Sequence, residues 1–165
     1  MNITLSDATA SDAPALAALR TAVAAHLTHD FGRGHWSSAV TETGVLHSLR
    51  HSRVFVAREA ARIIGTLQLA VKKPWAIDPS YFKNCHRPLY LLGMAVDPSL
   101  QRRGLGRAML EHVRRIARAW PADAVRLDAY DATAGAGLFY AKCGFQEVGR
   151  AIYRQVPLIY YELML

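Results

Sequence analysis

The sequence predicts a mixed α/β protein, a central sheet with helices on both faces. Three observations carry that prediction. Short β-rich runs are apolar throughout or alternate in polarity. Other stretches repeat their apolar residues at helical spacing. The two kinds are interleaved in the order β-α-α-β-β-β-α-β-α-β-β, which an all-α or all-β layer arrangement does not produce.

In chain order, Asn2 to Leu5 is a short strand closed by Ser6 and Asp7. Ser11 or Asp12 followed by Pro14 marks a helix entry, and an Ala- and Leu-rich run extends it to His26. The polar, glycine-bearing THDFGRGHWSS then breaks the pattern, and a second helix is expected from about Ser38 to Arg50. RVFVAR (Arg53 to Arg58) and RIIGTLQLAV (Arg62 to Val71) form a hairpin around Glu59 to Ala61. KKPWAIDPSYFKNCHRP is a loop. Leu89 to Val96 is continuously apolar, as a strand covered on both faces should be, and Asp97-Pro98 stops it. Leu105, Met109, Val113, Ile116 and Trp120 define the buried stripe of a helix that Pro121 ends. Val125 to Tyr130 is a half-buried strand. Gly137 to Lys142 is a short helix capped by Gly144, and Phe145 to Tyr153 and Leu158 to Met164 are closing strands.

The 165 residues read as one domain, residues 1–165, without repeats or linkers. A composition of 52% hydrophobic and 20% charged residues excludes intrinsic disorder, and no apolar run is long enough to span a membrane. The first residues lack the positive-then-apolar pattern of a signal peptide. Cys85 and Cys143 stand far apart with no CxxC partner, which argues against a zinc site or disulfide framework and for a cytoplasmic location; no metal is expected. The net charge of +7 favours an anionic ligand, whether nucleotide cofactor, nucleic acid or acidic substrate. Arg102, Arg103, Arg107, Arg114, Arg115 and Arg118 concentrate that charge, the last three reading best as a solvated helix face.

QRRGLGRA, Gln101 to Ala108, joins the apolar strand to the arginine-bearing helix. A strand, a glycine-rich turn and a helix start make a phosphate site, because free N–H groups converge there and the helix dipole adds positive potential. It is not a dinucleotide fingerprint, since Met109 stands where the third glycine or alanine belongs, and it is not a Walker loop. It does fit Q/R-x-x-G-x-G/A, through Gln101, Arg102, Arg103, Gly104, Leu105 and Gly106. With MAVDP just upstream and LFYAKCGF (Leu138 to Phe145) downstream, the chain resembles the GNAT superfamily of N-acetyltransferases over nearly its whole length.

The resemblance implies a GNAT fold, with a mixed, mostly antiparallel sheet splayed between the fourth and fifth strands, and acetyl-CoA as cofactor. The pyrophosphate of coenzyme A would lie on the N–H groups from Arg102 to Arg107, with Gly104 and Gly106 bare so that phosphate oxygens reach the main chain. The pantetheine amides would pair with Met94, Ala95 and Val96 beside a bulge that Gly93 permits. Tyr140 aligns with the family tyrosine that protonates the departing sulfur, an adequate acid because phenol and thiol differ by only about two pKa units. A main-chain N–H of Met94 or Ala95 would hold the carbonyl oxygen. Direct attack in a ternary complex needs no acyl-enzyme, and Cys143 reads as a small buried residue. Where many members carry a coenzyme-contacting asparagine, this chain has Thr133, and Gly135 and Gly137 weaken the helix that follows. The sequence does not identify the general base: Asp128 is a candidate on the strand bordering the cleft, but it reads better as an ordinary structural aspartate, and His86 reads as incidental.

The acceptor would bind among THDFGRGHWSS and KKPWAIDPSYF, where Asp30, His35, Trp36, Trp75, Tyr81 and Phe82 could receive a cationic amine, although each tryptophan alone reads as a cap on the core. The resulting expectation is an N-acetyltransferase acting on a primary amine of a small molecule. The alternatives are a protein or aminoacyl-tRNA amine acceptor, or a non-catalytic acyl-CoA-binding regulatory module. A homodimer is expected by resemblance alone, and no membrane partner is expected. Nucleic acid ranks behind the coenzyme as the ligand of the arginines.

Overall fold

A left-handed glycine marks three of the places where this chain changes element. Gly32 (φ +79°) ends the first helix, Gly104 (φ +86°) precedes the third and Gly144 (φ +88°) follows the fourth. The computed structural model describes residues 3–165. Its elements are β1 (Leu5–Asp7), α1 (Ala13–Phe31), α2 (Glu42–His51), β2 (Arg53–Glu59), β3 (Arg62–Ala70), β4 (Pro88–Val96), α3 (Leu105–Ala119), β5 (Ala124–Tyr130), α4 (Gly137–Lys142), β6 (Gln146–Tyr153) and β7 (Val156–Met164). Their order is the one the sequence predicts. The strands hydrogen-bond in the order β1-β2-β3-β4-β5-β7-β6; β1–β2, β2–β3, β5–β7 and β6–β7 pair antiparallel and β4–β5 parallel.

The chain forms two compact units. Residues up to Leu69 together with Gly93–His112 make the first; Ala70–Leu92 and Val113–Leu165 make the second. In the first, β1 and β3 flank β2, and Ala13, Leu16, Ala17 and Leu19 of α1 pack with Val45, Val54, Val56 and Ile63. Gly65 on β3 leaves the space that Met109 of α3 fills, since a Cβ there would lie 2.7 Å from its sulfur. In the second, Ile77 and Phe82 of the 71–87 loop pack on Tyr90, Leu158 and Tyr160. Arg126 and Glu162, 5% and 2% exposed, form a buried ion pair at 2.8 Å and bind the loop at Lys83 through its carbonyl and its N–H. β4 pairs in parallel with β5 through Pro88↔Ala124, Leu89↔Val125 and Tyr90↔Arg126.

Several boundaries depart from the sequence reading. Asn2 lies outside the described residues, and β1 runs through Ser6 and Asp7 rather than stopping before them. The first helix continues five residues beyond His26, to Phe31, because polar side chains alone do not break a helix and the first residue needing left-handed backbone is Gly32. The second helix begins later than Ser38, where the Thr41 hydroxyl accepts the Gly44 N–H at 3.1 Å. Arg114 does not belong to a solvated face; it is half-buried and donates to the Cys143 carbonyl. Among the described residues no helix is long and apolar enough to cross a membrane.

Candidate active site

In the first unit, β4 ends at Val96 and the chain reaches α3 through Gln101–Gly104. Arg102 (φ +59°) and Gly104 (φ +86°) both take left-handed backbone, and a non-glycine residue there is held at a cost of about 1 kcal/mol. The Gly104 carbonyl accepts the Ala108 N–H at 3.0 Å and so begins the helical ladder. Among the described residues, the six consecutive amides of Arg102 to Arg107 make no close backbone hydrogen bond outside the turn that Gln101–Gly104 forms. A Cβ on Gly104 would meet nothing within 4 Å, so the space above this loop is open. Arg102, Arg103 and Arg107 are exposed, and Leu105, only 1% exposed, anchors the loop in the core. Gln101 donates from its side chain to the Val96 carbonyl at 3.3 Å, tying loop to strand.

Gly93 has φ +55°, a break in strand geometry one residue before Met94. Ala95 is buried, while Met94 and Val96 are half-buried. Two polar side chains that the sequence reading overlooked stand beside Gly93. A Cβ on Gly93 would come within 3.0 Å of Gln68 Nε2 and 3.2 Å of the Arg20 guanidinium. Both interrupt otherwise apolar runs, LQLA and LAALRTAVAA, and that interruption was the available signal.

Asp30, His35 and Trp36 also lie in this unit. Asp30 is at the end of α1, bonded to His29 Nδ1 at 2.9 Å with His26 Nε2 at 3.4 Å. The His29 hydrogen bond, then the nearby His26, His29 and Arg102, hold its carboxyl below the ordinary range. Trp36 donates its indole N–H to the Gly32 carbonyl at 3.0 Å and lies against Gly34, so it closes its own loop; His35 is exposed. Thr28 bonds Ser37 at 2.7 Å and Thr21 accepts the Val40 N–H at 3.1 Å, pinning the segment on α1. Between them is a groove of about 390 Å³ lined by Thr21, Ala24, Ala25, Thr28, His29, Ser37 and Ala39.

The second unit carries Tyr140, Asp128, Thr133 and Trp75. Tyr140 on α4 is buried, with ring centroids of Phe139, Phe145 and Tyr161 at 5.3, 5.7 and 6.2 Å. Burial pushes its phenol well above the ordinary value, and the charges of Asp128 and Cys143 add to the effect. Asp128, opposite Tyr160 in the β5–β7 register, has its carboxyl pushed up by burial. The Asp128 charge helps raise the phenols of Tyr140 and Tyr160.

The glycines before Tyr140 have a packing role that the sequence reading missed. A Cβ on Gly135 would lie 1.9 Å from the Tyr130 carbonyl, and one on Gly137 would lie 2.5 Å from the Tyr161 hydroxyl. They let the six-residue α4 seat closely on its neighbours. Thr133 is exposed in the turn before it, and Cys143 is buried. Trp75 is 83% exposed and caps no core, whereas Phe82 is buried and Tyr81 packs edge-on to Tyr160 at 5.3 Å.

A family model described as an acetyltransferase (GNAT) domain matches residues 50–147. Among solved structures, the chain is similar to an N-acetyltransferase from Staphylococcus aureus (17% identity, TM-score 0.70, covering 99% of each chain). It is similar to the ribosomal-protein-S18-alanine N-acetyltransferase of Escherichia coli (20%, 0.71, covering 99% of this chain and 94% of that one). It is also similar to the PaiA N-acetyltransferase of Thermoplasma acidophilum in complex with coenzyme A (14%, 0.71, 99% and 100%). At these identities the structures speak to fold. No curated relative matches the sequence.

Proposed function

The chain belongs to the GNAT acetyltransferase family, whose members are acetyl-CoA-dependent, and we propose that it acetylates a primary amine of a small molecule by direct attack in a ternary complex. The observation that carries the cofactor half is the run of amides from Arg102 to Arg107, which among the described residues make no close backbone hydrogen bond outside their own turn. Six donors at a helix entry, an open face over Gly104 and three exposed arginines suit a pyrophosphate in number, charge and access. Met94, Ala95 and Val96, following Gly93, would receive the pantetheine amides, and a main-chain N–H of Met94 or Ala95 the carbonyl oxygen. When bound, acetyl-CoA supplies the activated thioester.

Tyr140 Oη would donate its proton toward the departing sulfur; burial keeps the phenol protonated throughout the working range but makes it a weaker acid than a free phenol, so the gap to the thiol is wider than the sequence alone suggests. Asp128 takes the proton of the acceptor ammonium, directly or through water. Its raised pKa makes it a stronger base than an exposed aspartate. The groove along α1 supports a small acceptor: about 390 Å³ has the size of a small-molecule site, and no carboxylate lines it to recruit a polycation. One observation favours a protein α-amine as the second reading, namely the likeness to an enzyme named for an alanine of ribosomal protein S18.

The test is thiol release from acetyl-CoA with a panel of small amines and amino acids, beside a peptide with a free α-amine. Turnover of a small amine, slowed about ten- to a thousandfold by Tyr140→Phe, is expected. Turnover of the peptide alone would transfer the assignment to a protein acceptor. Equal rates in wild type and variant would remove Tyr140 from the chemistry.

A further inference from the structure

Asp97 was read from the sequence only as half of the Asp-Pro pair that stops a strand, yet it is the most heavily bonded side chain beside the coenzyme loop. Its Oδ1 accepts the Ser99 N–H at 2.9 Å and the Ser99 hydroxyl at 2.6 Å, while Oδ2 pairs with the guanidinium of Arg62 at the start of β3. Its own N–H donates to the Ile64 carbonyl at 2.9 Å, a second attachment to β3. The Leu100 N–H returns to its carbonyl at 2.9 Å, closing the single turn Pro98–Leu100. The carboxylate is 14% exposed, and the Ser99 hydrogen bond, with Arg62 assisting, holds it below the ordinary range. Two residues beyond this turn, Arg102 sits in left-handed backbone without being glycine.

Strained backbone persists only where its surroundings over-determine it. Here Asp97 fixes the near side of the strained segment to β3, Gln101 ties it to β4 and Leu105 anchors the far side in the core. We propose that Asp97 is a positioning residue for the coenzyme pyrophosphate: by clamping the Pro98–Leu100 turn to β3 through Arg62 and Ile64, it sets the direction in which the amides from Arg102 to Arg107 point. The inference rests on the coenzyme reading of that loop. A donor array aimed by rigid elements binds without an ordering cost, and one on an unclamped turn bears it at each binding event.

The test compares two ligands, acetyl-CoA by isothermal titration and S-acetylpantetheine, which lacks the pyrophosphate, by ligand-observed NMR. Asp97→Ala is expected to weaken acetyl-CoA about tenfold, the scale of losing a capping carboxylate. Asp97→Asn keeps the Ser99 bonds but loses the charge on Arg62, and together with Arg62→Met is expected to weaken it about two- to threefold. S-acetylpantetheine affinity stays at the wild-type value in all three. Unchanged acetyl-CoA affinity in Asp97→Ala, or equal weakening of both ligands, overturns the positioning role. Gly104→Asp serves as the reference. If that variant binds acetyl-CoA as wild type does, the coenzyme reading itself fails; if it loses binding while Asp97→Ala does not, only the inference about Asp97 fails.

Discussion

The loop from Gln101 to Arg107 and the neighbourhood of Tyr140 and Asp128 solve opposite electrostatic problems. Among the described residues, the loop leaves six amides with no close backbone partner outside their own turn, and arginines in solvent, so it attracts negative charge with the main chain itself. Around Tyr140 the sheet and α4 exclude water, and burial raises the phenol and the Asp128 carboxyl alike. One region exposes main-chain donors and cations, and the other raises proton affinity by burial. Each depends on glycine for its own reason. Gly104 supplies left-handed backbone under open space, while Gly135 and Gly137 remove a Cβ where backbone and phenol crowd.

If that division is right, substitutions in one region should leave the other's observable intact. Tyr140→Phe is expected to lower the transfer rate about ten- to a thousandfold while acetyl-CoA affinity stays unchanged by titration. Asp128→Asn should cost about a hundredfold in rate and also raise the melting temperature at neutral pH. The sign follows from linkage. A carboxyl whose folded pKa lies above its unfolded value adds stability below the unfolded pKa and loses it as pH rises through the folded one, so the ionised form is a liability that asparagine removes. For the same reason the acid limb of the rate profile should lie above the ordinary carboxylate value and vanish in Asp128→Asn. A limb at the ordinary value would mean that Asp128 is not the base.

Smaller effects sharpen the comparison. Arg126→Met leaves Glu162 buried without its partner and should destabilise the protein by about 3–5 kcal/mol in denaturant titrations while sparing coenzyme affinity. The β6–β7 turn holds Arg154 (φ +48°) and Gln155 (φ +67°) in left-handed backbone with no glycine. Gln155→Gly should therefore stabilise by about 1 kcal/mol with no change in binding or rate.

Much of the frame was legible because local chemistry decides it. Leu89 to Val96, the Leu105-to-Trp120 stripe and the short helix at Gly137 fall where apolar period and Gly or Pro punctuation put them. The turn into α3 was legible because left-handed backbone favours glycine, as at Gly104, and the exposed Arg102, Arg103 and Arg107 are visible as letters. What failed depends on contacts made far along the chain. Asp30 reads as an open carboxylate for an amine but is occupied by His26 and His29, on a helix whose length was misjudged. Arg114 reads as solvated until Cys143 is folded against it. Phe82 reads as a substrate aromatic until Tyr160 covers it at 5.4 Å. The raised pKa of the Asp128 carboxyl depends on burial, which no local pattern encodes.

The most direct test of the central claim is isothermal titration of acetyl-CoA into the wild type and Gly104→Asp. Aspartate tolerates left-handed backbone and the space over Gly104 is open, so the variant should fold and place a carboxylate where the pyrophosphate belongs. Saturable binding by the wild type and a loss of about a hundredfold or more in the variant is the predicted result. Equal affinities would contradict it, and with it the assignment of the amides from Arg102 to Arg107 to the coenzyme.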